Sequence, residues 1–111
     1  MTEMEIVKEK SGNGVGEFTL EKLLDQSQMK NRAGLYARVT VPPGSSVCYH
    51  EHHGDEEAYF ILSGEGVYDD NHASTRTVKA GDLTWTPDGR GHSIENKGSE
   101  DLVFMALILK S

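Results

Sequence analysis

An all-β fold, an antiparallel sandwich or barrel, is predicted by three features of the sequence. Short segments rich in Val, Ile, Tyr, Phe and Thr recur from Leu35 onward, and these residue types suit a pleated, half-buried surface. Turn signals separate them at intervals of mostly about 8–12 residues, the rhythm of sandwiches and barrels. Glycine supplies 12 of the 111 residues and punctuates these segments instead of forming a linker.

The elements follow in order. A weak strand is expected around Glu5–Lys8. Phe18 to Leu24 carries apolar residues at Leu20, Leu23 and Leu24, helical spacing over barely two turns, and predicts a short helical turn over the barrel end. Residues 1–33 thus read as an N-terminal strand and helical-turn segment packed on a barrel of residues 34–111, one domain overall. Barrel strands are expected at Gly34–Val41, Ser46–His50, Glu57–Ser63, Glu65–Asp69, Ser74–Val78, Leu83–Thr86, His92–Glu95 and Leu102–Leu109. Turns such as Pro42-Pro43-Gly44, Asp69-Asp70-Asn71 and Pro87-Asp88-Gly89 separate them. The Ala58–Leu62 run and the Leu102–Leu109 strand are apolar on both faces, so each needs packing on both sides. The interior takes one face; a second sheet or a partner subunit takes the other. A homodimer is therefore expected.

Composition excludes several classes. Eleven Lys+Arg against 18 Asp+Glu leave a net charge of −7, which argues against nucleic acid and anionic membrane surfaces as partners. One cysteine forms no internal disulfide and builds no Cys-rich zinc knuckle. The longest apolar run, Leu102 to Leu109, is far short of a bilayer span. Met1 to Lys10 has no apolar signal-peptide core. A cytoplasmic protein acting on a small molecule is the expectation.

Three of the five histidines fall in two compact groups: Gly44-x5-His50-x-His52-x4-Glu57-x6-Gly64 and Gly81-x5-Pro87-x-Gly89-x2-His92-x3-Asn96. His50 and His52 are two apart on a predicted strand, so alternation points both at one face, with α-carbons about 6.7 Å apart. The His53-Gly54-Asp55-Glu56 turn reverses the chain, and the next strand returns a carboxylate to the same interior. By spacing alone that carboxylate is Glu56 or Glu57. His92 comes from a much later strand and closes the site from another side. Three imidazoles and one carboxylate suit one divalent transition metal ion, namely Fe, Mn, Ni, Cu, Co or Zn. In a six-coordinate ion they leave two adjacent positions free.

Both groups resemble the two sequence motifs of the cupin superfamily, with every fixed position filled at an allowed spacing. The motifs run from Gly44 to Asn96, about half of the chain. The resemblance implies a jelly-roll barrel with a metal held by His50, His52, Glu57 and His92. It selects Glu57 over Glu56, because Glu57 lies seven positions before Gly64. Gly44, Gly64, Gly81 and Gly89 are expected at turns, Pro87 to fix the chain, and Asn96 to cap a turn. The resemblance specifies fold and metal but not reaction, since cupins include dioxygenases, decarboxylases, isomerases and non-catalytic binders.

Several other residues are candidates. Tyr59 and Ile61 share Glu57's face and should line the barrel near the metal. Tyr59 is then a core residue, a substrate contact or a proton donor, and Glu57 could also assist proton movement. Cys48, two before His50, is expected to point inward as a small buried residue. Arg38 and Arg90 are candidates to anchor a substrate carboxylate. Trp85 is expected in the barrel or on a pocket wall. His53 and His72 are expected at the surface. Two function classes stay open: a metal-dependent enzyme on a small keto acid, hydroxy acid or sugar derivative, and a non-catalytic metal- or sugar-binding module. Fe(II) in the first would permit dioxygen chemistry.

Overall fold

The computed structural model describes residues 5–111; residues 1–4 of the expected N-terminal segment lie outside the described residues. Ten strands follow one another: β1 Glu5–Lys10, β2 Glu17–Lys22, β3 Ala33–Val41, β4 Ser46–Glu51, β5 Asp55–Ser63, β6 Glu65–Asp70, β7 Ser74–Lys79, β8 Leu83–Thr86, β9 Gly91–Glu95 and β10 Leu102–Lys110. They form a six-stranded sheet in the order β1-β2-β3-β10-β5-β8 and a four-stranded sheet in the order β4-β9-β6-β7. Every pairing is antiparallel.

Period-two alternation sets the interior. In β5, Glu57, Tyr59 and Ile61 point inward; in β10, Leu102, Phe104 and Ala106 do so. Val39, Val41, Ile61, Leu102 and Phe104 from the larger sheet meet Tyr68, Val78 and Ile94 from the smaller. Each such apolar side chain, once buried, contributes on the order of 2 kcal/mol. Two motif residues show their structural work. Gly64, at φ 79°, turns the chain between β5 and β6, where a side chain would run into the Asp101 carbonyl. Buried Asn96 donates to the carbonyls of Val41 (2.8 Å) and Glu100 (2.7 Å) and accepts from the Gly98 amide (2.9 Å), tying three segments together.

Two expectations are corrected. Phe18 to Leu24 holds no helical turn: Glu17–Lys22 is strand β2, hydrogen-bonded to β1 on one side and β3 on the other. The apolar pair that counts is Phe18 and Leu20, two apart, and no helix occurs among the described residues. Cys48 is not the small buried residue expected; it is exposed. Val47 pairs with Ile94 but His50 pairs with His92, so β4 carries one extra residue opposite β9. This β-bulge breaks the alternation on which the Cys48 reading rested and aims both Val47 and His50 inward.

Candidate metal centre

His50, near the end of β4, and His52, just past it, enter from one side. Glu57 enters from β5 and His92 from β9, directly opposite His50 in the register. One donor atom from each lies within 4.8 Å of all the others. His92 Nε2 stands 3.0 Å from His50 Nε2, 3.2 Å from His52 Nε2 and 2.9 Å from Glu57 Oε1. Glu57 Oε1 is 3.1 Å from His52 Nε2 and 3.5 Å from His50 Nε2. The expected four residues are thus brought together.

The outer ring nitrogens explain why the inner ones converge. His50 Nδ1 donates to the Cys48 carbonyl (2.8 Å) and His52 Nδ1 to the Asp55 carboxylate (2.8 Å). Both partners only accept, so in the neutral rings the proton sits on Nδ1 and Nε2 presents a lone pair. His92 Nδ1 lies 2.9 Å from both the Tyr68 hydroxyl and Thr86 Oγ1, which bond each other at 2.7 Å. With all rings neutral, lone pairs and a carboxylate therefore crowd one point, an arrangement that repels itself unless a proton or a metal cation sits there. Ligand bonds of about 2.1 Å at right angles put neighbouring donors about 3.0 Å apart, which the spacings match. The residues fit a divalent first-row ion. Asp55, Tyr68, Thr86 and the Cys48 carbonyl, which orient the rings, escaped the sequence reading. Asp55's position three residues past His52, across the His53-Gly54 turn, was the available signal.

Without a metal, protons on the imidazoles relieve the same crowding. Burial works to raise the Glu57 carboxyl, but hydrogen bonds from His50, His52 and His92 outweigh it and hold it well below the ordinary range. The bond to Glu57 raises His50 and His52 against the opposing effect of burial, helped by the Cys48 carbonyl and Asp55 respectively. Burial lowers His92 despite Glu57. Burial, then the Glu57 charge, keeps the Tyr59 hydroxyl protonated well above its usual range.

A cavity of about 320 Å³ opens on the centre, with His50, His52, Glu57 and Tyr59 on its walls. Tyr59 also stacks on His92 at 4.8 Å. The other substrate candidates lie elsewhere. Arg38 is on the outer face, forked onto Glu21 through bonds of 3.0 and 2.8 Å, because Ala37 and Val39 take the inward positions. Arg90 is an exposed turn residue whose carbonyl accepts from the His52 amide at 2.9 Å. Trp85 does not pack in the barrel or on this wall: it lies outward on β8, because Thr84 and Thr86 occupy the inward positions. A cleft of about 370 Å³ beside the 25–29 turn gathers no comparable set of donors.

A family model for the cupin domain matches residues 37–108. The chain belongs to the cupin family. This cupin is 47% identical over 108 residues to an oxalate-binding protein of Thermotoga maritima, covering 95% of this chain and 88% of that one. A 75-residue stretch, 64% of the chain, is 37% identical to an oxalate decarboxylase of Bacillus subtilis but spans only 20% of that longer protein. A solved structure of a predicted oxalate decarboxylase from Thermotoga maritima matches with a TM-score of 0.90 at 44% identity, covering 98% of this chain and 95% of that one. A Thermus thermophilus protein at 18% identity shares the fold alone, with a TM-score of 0.74 over 84% of this chain and 83% of that one.

Proposed function

We propose that this cupin binds a small oxygen-chelating acid of the oxalate class through one divalent metal ion held by His50, His52, Glu57 and His92. The carrying observation is the convergence of Nε2 lone pairs, fixed by Nδ1 donation to acceptor-only partners, beside an ionised carboxylate that faces a cavity. Similarity to proteins named for oxalate supports the ligand class. When bound, the ion supplies Lewis acidity to the ligand oxygens. Calorimetry of oxalate into metal-loaded protein tests the reading: saturable binding that His52→Ala abolishes is expected. Oxalate binding that is unchanged by chelator treatment would overturn it.

Turnover is a second reading, carried by Tyr59. It stacks on His92 at the cavity wall beside the metal ligands, a placement suited to a proton donor. Glu57, held ionised, serves as ligand and not as acid. Conversion of ¹³C-oxalate to formate and carbon dioxide, lost in Tyr59→Phe, is the expected result under that reading.

We also propose a homodimer through the outer face of β5 and β8. Phe60, Leu62, Leu83 and Trp85 are 45%, 43%, 59% and 46% exposed there, and Phe60 sits opposite Leu83. A monomer at micromolar concentration by light scattering would count against it.

A further inference from the structure

We infer that the ligand bears an apolar body behind its chelating head: a 2-oxo or 2-hydroxy monoacid with a branched or aromatic side chain. This rests on the metal-centred reading above and adds what the rest of the cavity must hold. Three of the four donors lie on the cavity wall, whereas His92 is fully buried and does not reach it. The open side of the centre therefore faces this space. Beyond the donors, Tyr59, Cys48 and Glu9, the walls are apolar, chiefly Phe18 and Leu20 from β2, Leu35 and Val39 from β3, and Phe104 and Ile108 from β10.

No lysine or arginine is among the described residues lining the cavity. Arg38, next to Val39 in sequence, is tied to Glu21 on the opposite face, and Lys8 and Lys10, which flank Glu9 on β1, are not among the lining residues. Outside the metal centre, the one carboxylate on the wall is that of Glu9, from β1. A carboxylate on the far end of a ligand would find no positive partner and would share the cavity with Glu9, whereas a hydrocarbon tail would cover apolar walls. The volume, about 320 Å³, falls in the range that encloses larger organic ligands and exceeds what a two-carbon diacid requires.

Titration of Mn²⁺-loaded protein with pyruvate, 4-methyl-2-oxopentanoate, 2-oxoglutarate and oxalate tests this. The first three share one chelating head. Each buried carbon of a tail should tighten binding about fourfold, so 4-methyl-2-oxopentanoate should bind at least about tenfold tighter than pyruvate, and 2-oxoglutarate should show no such gain. Leu35→Gln, at a half-buried wall position, should pull the ratio of 4-methyl-2-oxopentanoate to pyruvate toward one. Glu9→Gln should improve 2-oxoglutarate selectively. Equal affinity for pyruvate and 4-methyl-2-oxopentanoate, or oxalate binding with no 2-oxo acid binding, overturns the apolar subsite and leaves the metal reading standing. Failure of all four acids to bind metal-loaded protein overturns both.

Discussion

The two walls of the metal centre are built differently. On the His92 side everything is closed: the ring is fully buried, its Nδ1 is held by Tyr68 and Thr86, and Tyr59 covers its face. On the His50 and His52 side the chain is at its edge. His50 is part-exposed, its ring is held by a main-chain carbonyl, and His52 leans on Asp55 across a tight turn. The closed wall is part of the folded core, so its loss should cost stability as well as metal. On the open wall His50 is part-exposed, so its loss should cost metal and little else, whereas His52 is itself buried.

His92→Ala tests that contrast most severely. It leaves the Glu57 carboxylate and the Tyr68 hydroxyl buried with fewer partners, so the metal-free protein should lose about 3 kcal/mol, read by denaturant melting. His50→Ala should abolish stoichiometric metal by elemental analysis while costing the metal-free fold about 1 kcal/mol. Equal destabilisation by the two would erase the distinction.

Proton competition comes next in size. Imidazole must be neutral to ligate, so metal occupancy should fall as pH drops from about 7 to about 5. The raised values of His50 and His52 start that loss above the ordinary histidine range near 6.5. The metal-free fold should respond less. His50 and His52 stabilise it below that range and lose the contribution as pH rises through their folded values. His92, lowered, contributes above the range and loses it on acidification; Glu57, lowered, fades only well below ordinary carboxyl values. Elemental analysis beside melting, across the same pH series, separates the two responses. A fold that melts in step with metal loss would contradict this.

Changes to the ring supports are smaller. Asp55→Asn keeps an acceptor but removes the charge on His52 and should weaken metal about tenfold. Tyr68→Phe leaves Thr86 to hold His92 and should weaken it less. Competition against a chromophoric chelator measures both. Smallest of all, Arg38→Ala and Arg90→Ala, both off the cavity wall, should leave ligand affinity unchanged within about twofold.

Much of this was readable in advance where alternation or motif spacing governs. Glu57, Tyr59 and Ile61 share an inward face because β5 alternates without interruption. The same rule already set Arg38 against Ala37 and Val39, and so on the outer side. What escaped depended on neighbours distant in sequence. Leu20, Leu23 and Leu24 satisfy a helix as well as Phe18 and Leu20 satisfy a strand, and pairing with β1 and β3 decided the matter. Asp55 was visible only as a residue of the reversing turn, and the fold alone brings its carboxylate onto His52. The bulge at Cys48 and Tyr49 has no local signature, because it is defined by the register of β9.

That bulge has a practical result for anyone dissecting the protein. The group steadying His50 belongs to the main chain, between two residues that lack register partners on β9. Alanine scanning is blind to it, since every substitution of Cys48 retains the oxygen. Only shortening the strand by one residue, or replacing the amide with an ester by chemical synthesis, would reach that support.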